Sequence, residues 1–508
     1  MTASDHDSRE LAQFGYRQEL DRSLGAFSSF AAGFSYLSIL TGMFQTAFLG
    51  FVFAGPAFIW AWIFVFFGQL MVALQFAELA AHFPIAGSVY QWSKQVASKG
   101  LAWQVGWFYV WTQIITVPAV ALAYQVILPQ ISSKFQIVDM EGDGSFTDPG
   151  FAKNAVILGL ALIAFTTIIN LIGVRLMATI NNVGVAVELV TALLLIILLL
   201  TQVTRGPGAV LGETFGTGAG RDWGYFGSLL IGAYMGLYVM YGFDTAGALA
   251  EETTDPRKIA PPSILRALLT SGIMGFLLIL FGSMAVSDGA YNIDTLGAGG
   301  LTAIVIDVFG STFGKIMLVL VVVAITVCCL AIHAAAVRII FAMARDNNLP
   351  GAARLAKVSA TARVPRFPAV LVGGIAMLIL LFNIVNPRAF TIVISCGIIF
   401  IYIAYLGTTV PLLRKRLNGW PGETEPGYFK LGRWGVITNV LAILYGVSMI
   451  INLAWPREDF YGHFWYQKWG VVLACVIVLC SGLAMYHGYQ KNQYGVLEEH
   501  RAEAVSAD

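Results

Sequence analysis

Tyr241-Gly242-Phe243-Asp244-Thr245-Ala246-Gly247 lies inside the apolar run Trp223–Ala250, and it reads badly as helix. A glycine costs about 1 kcal/mol in a helix interior. A charge at mid-membrane costs several times as much on insertion scales. An ionisable residue between two glycines therefore predicts an interrupted helix. A second stretch, Ser38-Ile39-Leu40-Thr41-Gly42-Met43-Phe44, sets a glycine among hydroxyl residues midway along the run Ala26–Phe53. Paired interruptions at corresponding places in two halves point to a transporter's central site. Unwinding frees N–H groups at a half-helix N-terminus, where the dipole is positive, so a carboxylate can bind without a buried arginine. Carbonyls freed on the other half can receive an ammonium. The competing reading is that these glycines only let helices pack closely.

Outward from these two stretches, the rest of the chain is membrane-like. It has 508 residues, 57% of them hydrophobic and 12% charged, against about 25% charged in a soluble domain. The apolar residues fall in runs of about 20, the length that crosses a ~30 Å hydrocarbon core. Twelve spans are predicted: Ala26–Phe53, Phe58–His82, Leu101–Pro129, Asn154–Gly173, Met177–Val203, Trp223–Ala250, Ile264–Val286, Phe313–Ala344, Phe367–Val385, Arg388–Leu413, Trp434–Trp455 and Trp469–Tyr489. Gly87–Ser98 reads as an amphipathic loop helix and Leu301–Phe309 as a short helix outside. The fold class is an all-α membrane protein with broken helices 1 and 6. These two open a pair of five-helix repeats, 26–203 and 223–413. Two peripheral helices follow over 434–489, and tails 1–25 and 490–508 flank the bundle.

Basic residues set the orientation. Of the 30 Lys and Arg, eight fall in predicted outer segments: Lys134, Lys153, Arg205, Arg221, Lys315, Arg388, Arg457 and Lys468. The other 22 fall in the tails and loops of the opposite side, so both termini are expected in the cytoplasm of a multi-pass cell-membrane (inner-membrane) protein. Arg363/Arg366 and Arg414/Lys415/Arg416 read as topology signals, with a lipid-headgroup site as the alternative. Met1–Arg22 is polar and lacks the pattern of a signal peptide, so insertion is expected to rest on the first span. The outer connections Gln130–Lys153 and Arg205–Asp222 can cap the bundle but cannot bury a core. A net charge of +1 gives no electrostatic case for nucleic acid. Cys328, Cys329, Cys396, Cys475 and Cys480 lie in apolar runs without metal-ligand spacing. They read as small buried side chains rather than a disulfide or metal framework.

With these motifs assembled, the chain resembles the amino acid–polyamine–organocation transporters, especially the amino acid/choline branch that includes GABA permeases. Leu40-Thr41-Gly42-Met43-Phe44 is similar to that family's G-S-G-I-F, with Leu40 and Thr41 replacing its first glycine and serine. Ala77-Glu78-Leu79, Phe83-Pro84, Gly87-Ser88 and Tyr90 are similar to the signature that follows its second helix. Tyr241-Gly242-Phe243-Asp244, Glu251-Glu252 and Asp255-Pro256-Arg257 resemble its sixth-helix pattern. Arg338, Ala344-Arg345-Asp346 and Leu349-Pro350 resemble the stretch after its eighth helix, with Val337 and Asn347 departing from it. The resemblance covers roughly Arg22 to Tyr489. It implies the leucine-transporter fold, a 5+5 inverted repeat working by alternating access around a midplane site. Thr41, Gly42 and Met43, beside Ser38, would offer N–H groups to a carboxylate. Carbonyls near Tyr241, Gly242 and Asp244 would receive the amino group, and Phe243 would line or gate the pocket.

Ionisable groups inside spans carry further expectations. Glu188, mid-way along the fifth span, is either a proton-coupling site or a structural acid; some proton-coupled relatives have a lysine at the matching position, facing the broken first helix. Asp244 either pairs with a substrate ammonium or caps the second half-helix. His333 reads as a packing histidine, Gln113 as a bond between helices, and Trp107, Trp111 and Tyr109 as third-helix packing rather than an aromatic cage. Glu78 and Glu251/Glu252, near arginines at the inner boundary, read as gate salt bridges or solvated faces. In sodium-driven relatives the ion sits between the broken first helix and hydroxyls of the eighth. Here Val327–Met343 has no Ser or Thr, and Thr326 is the one nearby hydroxyl. The expected function is proton-coupled import of an amino acid, GABA or related small amine, with no cofactor. Choline, ethanolamine or polyamine transport, exchange, and nutrient sensing are the alternatives. A membrane enzyme is disfavoured: there is no HExxH, GxSxG or P-loop.

Overall fold

The computed structural model describes residues 11–18, 22, 24–142, 148–219, 221–359, 364–386, 389–422, 428–493 and 495–501. Arg363 and Arg388, named in the topology argument, lie outside them, as do the chain ends. Among the described residues eleven helical spans are long and apolar enough to cross a membrane. The β-structure described consists of isolated bridges, Tyr16 with Arg501 and Leu24 with Thr253.

The first span is two helices, α1 (Ala26–Leu37) and α2 (Ile39–Ala54). Ser38 separates them, with φ 30° and ψ 91°. The break falls three residues before Thr41-Gly42, where the glycine alone would have put it. Then come α3 (Ile59–His82), α4 (Ser88–Val96), α5 (Lys99–Ala121) and α6 (Ala123–Ile131). α4 is the expected loop helix. α7 (Pro149–Ile172) begins at an Asp148 cap, whose carboxylate accepts from the Gly150 N–H at 2.7 Å, with proline at its first position. α8 is Val174–Thr201.

The sixth predicted span divides into α9 (Gly224–Val239) and α10 (Thr245–Ala248). The stretch 240–244, containing Gly242 and Asp244, joins them. α11 (Pro256–Ala285) leads to α12 (Ile293–Arg345), in which Gly300 and Gly310 have non-helical backbone. Those two glycines bound the expected short helix at Leu301–Phe309. α13 (Arg366–Val385), α14 (Ala389–Leu417), α15 (Gly435–Ala454) and α16 (Gly470–Gly488) complete the bundle.

Burial sorts these helices into centre and rim. The most apolar stretch of the α1–α2 span is 89% buried, whereas that of α16 is 17% buried. α2 packs on α9 and α12, α3 on α11, α5 on α14 and α7 on α13. The rim faces carry large exposed apolar side chains such as Leu378, Phe382, Leu444 and Ile477, the composition expected where hydrocarbon is the solvent.

Candidate functional site

The two breaks meet at the centre. A Cβ added to Gly42 would stand 2.6 Å from Val239 Cγ2, at the end of α9. Gly242 has φ 92°, a left-handed conformation that side chains rarely adopt, and an added Cβ would run into the Tyr36 ring. Tyr36 and Tyr241 meet edge to face with centroids 5.9 Å apart. Ser29 Oγ of α1 donates to the Ala246 carbonyl of α10 at 3.3 Å. Gly242 in the second break, and Gly42 four residues beyond the first, are therefore needed for the close approach of the two interrupted spans.

Asp244 is fully buried and held by hydroxyls from three other helices. Ser88 Oγ donates to Oδ2 at 2.7 Å, the Tyr109 hydroxyl donates to the same oxygen, and the Tyr405 hydroxyl donates to Oδ1 at 2.5 Å. Tyr405 in turn accepts from the Gly242 N–H at 3.1 Å, which ties α14 to the break itself. The Asp244 side chain makes no capping bond to α10. Phe243 is buried against Phe76 and Tyr405, with centroids 6.2 and 5.7 Å away.

Glu188 reaches the other break. Its Oε1 accepts from Ser38 Oγ at 2.9 Å and from the Leu40 N–H at 3.1 Å, so an acid from α8 sits on the N-terminus of α2. Ser38 Oγ lies 2.5 Å from Thr41 Oγ1. The Gly42 N–H donates to the Ser38 carbonyl at 3.0 Å, within the helix. Among the residues expected to offer N–H groups, Gly42 is thus engaged, and the N–H that meets Glu188 at this end is that of Leu40. Met43 is buried beside them. Several buried polar atoms here lack a hydrogen-bond partner: Glu188 Oε2, the Tyr36 hydroxyl, both amide atoms of Gln113 and Thr245 Oγ1.

The α12 face opposite the first break presents sulfur. Cys328 Sγ lies 3.6 Å from the Tyr36 carbonyl, while the Thr326 hydroxyl lies 2.7 Å from both Tyr124 Oη and the Val322 carbonyl. His333 sits between Thr166 Oγ1 at 3.2 Å and the Ala369 carbonyl at 3.0 Å, a packing role as expected.

Ion pairs cluster at one end of the bundle. Arg345 and Glu251 form a buried two-pronged pair at 2.7 and 2.8 Å. Arg338 grips Glu252 in the same way at 2.7 and 3.0 Å, and Arg416 bonds Glu78. Asp346 accepts from Tyr16 at 2.7 Å, Tyr90 at 2.9 Å and Lys94 at 2.5 Å. Of the two readings of Glu78, Glu251 and Glu252, the salt-bridged one is what the structure has.

Sequence reading missed Ser88, Tyr109 and Tyr405 as partners of Asp244. Ser88 stood inside a quoted motif without a role, and Tyr109 read as packing. Tyr405 is 161 residues from Asp244, and no local spacing links them.

An all-helical membrane bundle with two interrupted helices meeting over buried acids defines a solute permease rather than an enzyme. The family model for amino acid permeases matches residues 24–480, and the chain belongs to that family, within the amino acid–polyamine–organocation superfamily. It is 28% identical over 459 residues to the amino-acid permease BAT1 of Arabidopsis thaliana, covering 88% of this chain and 87% of that one. Its likeness to the BAT1 homolog of Oryza sativa subsp. japonica is 28% over 457 residues, covering 87% and 86%. It is 23% identical over 456 residues to a GABA-specific permease of Saccharomyces cerevisiae, covering 88% and 78%.

Proposed function

We propose that this chain is a secondary transporter that imports an amino acid, GABA or a related small amine by alternating access, with a proton as the coupled ion. The observation that carries the reading is an acid at each break without a basic partner. Asp244 is held by hydroxyls, and Glu188 by a hydroxyl and a backbone N–H. Ser38, Thr41, Gly42, Met43, Tyr241, Gly242, Phe243 and Asp244 form the substrate site in this reading. Asp244 receives the amino group and Glu188 exchanges the coupled proton. A proton needs one group whose water access changes during the cycle, and Glu188 is at the element that breaks. Sodium prefers hard oxygen ligands, and Cys328 offers sulfur at the α12 position facing the break. The named activity of the yeast relative supports GABA as a first substrate to test.

In the same reading α9 and α10 together make a twelfth crossing, and the chain folds as two inverted five-helix repeats, 26–203 and 223–413. Both termini lie in the cytoplasm, so the ion-paired end is a closed inner gate. A second reading, transport of a carboxylate-free amine such as choline, ethanolamine or a polyamine, is favoured by Glu188 filling the α2 N-terminus. Uptake of radiolabelled GABA, alanine and choline into proteoliposomes, under separately imposed sodium and pH gradients, tests both. GABA or alanine should accumulate with an inward proton gradient and be indifferent to sodium replacing potassium. Sodium stimulation at fixed pH without a response to the pH gradient would overturn proton coupling. Uptake of choline without either amino acid would favour the second reading.

A further inference from the structure

The N-terminus of α2 is where a substrate carboxylate would bind, and in this structure a protein carboxylate is already there. We infer that Glu188 is a tethered competitor for that position: while ionised it holds the α2 N-terminus, and a carboxylate-bearing substrate enters as a proton neutralises Glu188. This rests on the reading of the two breaks as the substrate site. Three observations carry it. Glu188 Oε1 takes both the Ser38 hydroxyl and the Leu40 N–H. Glu188 Oε2 is buried without a partner, as a side chain would be if its second oxygen faced a ligand position. Ser38 Oγ, whose proton goes to Glu188, accepts from Thr41 Oγ1 at 2.5 Å, so the two hydroxyls form a relay ending on the carboxylate that holds this position.

The chemistry follows from charge. Bonds from an N–H or O–H to a carboxylate are roughly twice as strong as neutral ones, and a helix N-terminus adds a favourable charge–dipole term. Two carboxylates at one helix end repel each other. A proton on Glu188 removes both its advantage and the repulsion, so proton binding and carboxylate binding become linked. A substrate without a carboxylate has no such requirement.

The neighbours leave Glu188 to set this linkage. Cys328 on α12, its Sγ 3.6 Å from the Tyr36 carbonyl, is a buried thiol. Tyr36 is the titratable residue of α1, its ring turned to Tyr241, and α2 contributes hydroxyls. On α7 the one charge is Lys153, near its start; on α11 the charges are Arg257 and Lys258 in the first turn and Arg266 at the eleventh residue. Arg175 begins α8 itself. On α12, His333 is bonded to Thr166 and Ala369, Arg338 and Arg345 pair with Glu252 and Glu251, and Asp294, Asp307 and Lys315 lie further along the helix.

The test is equilibrium binding to the purified protein at pH 5.5, 6.5 and 7.5, with GABA and alanine against propylamine and ethylamine, the same molecules without the carboxylate. GABA and alanine should bind about tenfold more tightly for each unit of acidification while Glu188 is ionised, the slope of one linked proton. The two amines should not follow that slope. Protonation of Asp244 would weaken all four ligands at low pH, the opposite sign. Glu188→Gln should bind GABA and alanine equally well across the range. A flat profile for GABA and alanine in the unaltered protein overturns the inference, and does so even if the Gln variant fails to fold. A retained slope in Glu188→Gln also overturns it. If none of the four binds at any pH, the substrate-site reading itself falls; if amines alone bind, that reading stands and the competitor role is lost.

Discussion

Gly242 shows how much one residue can decide. Its φ of 92° suits glycine, and its α-carbon lies against the Tyr36 ring, so even a methyl group is excluded on two grounds. Strain of this kind costs on the order of 1–3 kcal/mol, and overpacking costs a similar amount. Gly242→Ala should therefore insert into the membrane, melt at lower temperature and lose most of its substrate affinity. Full uptake at normal expression would remove the argument for the central site. Tyr405 makes a second test. Its hydroxyl both donates to Asp244 and accepts from the Gly242 N–H. A hydrogen bond to a charged group contributes about 1.5–3 kcal/mol, so Tyr405→Phe should weaken amine binding by tenfold or more. Asp244→Asn should weaken it too, and the double variant should lose less than the sum, because the two residues share one interaction. Additive losses, measured by binding, would mean that Tyr405 acts independently of the acid.

At the scale of elements, the breaks are held open by groups supplied from elsewhere. The N-terminus of α2 is satisfied by α8 through Glu188, and the link before α10 by α14 through Tyr405. Neither half-helix could be read as stable on its own. The end with the ion pairs works the same way: Arg345 of α12 is clamped to Glu251, just after α10. Removing one partner of a buried pair costs about 3–5 kcal/mol. If the pair forms only when this end is closed, Arg345→Ala shifts the population toward the open state. Cys328, buried at the centre, reports that opening. In a Cys480→Ser background, Arg345→Ala should label at Cys328 with a water-soluble maleimide at least tenfold faster, by the population shift such a loss implies. An unchanged rate would mean that the pair does not gate access.

Across the whole molecule, the segments 11–18 and 495–501 converge on the ion-paired end. Tyr16 bonds Asp346, the Arg17 N–H donates to the His500 carbonyl at 3.0 Å, and the Leu497 N–H donates to the Arg345 carbonyl at 2.9 Å. These two segments are thus tied to each other and to the helix that carries Arg345. Deleting residues 1–17 removes the Tyr16 contact, one of the bonds that hold Asp346 in place. Such a protein should show a lower melting temperature and faster Cys328 labelling than the full chain. Equal labelling would confine the terminal segments to a structural role.

The chain alone determined its class because hydrophobic run length, glycine in apolar helices and the distribution of Lys and Arg are local signals with a direct physical cost. They gave an all-α membrane protein, two interrupted helices and the acids Glu188 and Asp244. What each acid touches was decided only in three dimensions. Asp244 could pair or cap, and its partners come from positions 88, 109 and 405 on three different helices. Glu188 is 150 residues from Ser38, and no periodicity within α8 marks which of its faces meets the break. The break itself moved from Gly42 to Ser38 for the same reason: a helix end forms where its free N–H groups find an acceptor, and the acceptor here belongs to another helix.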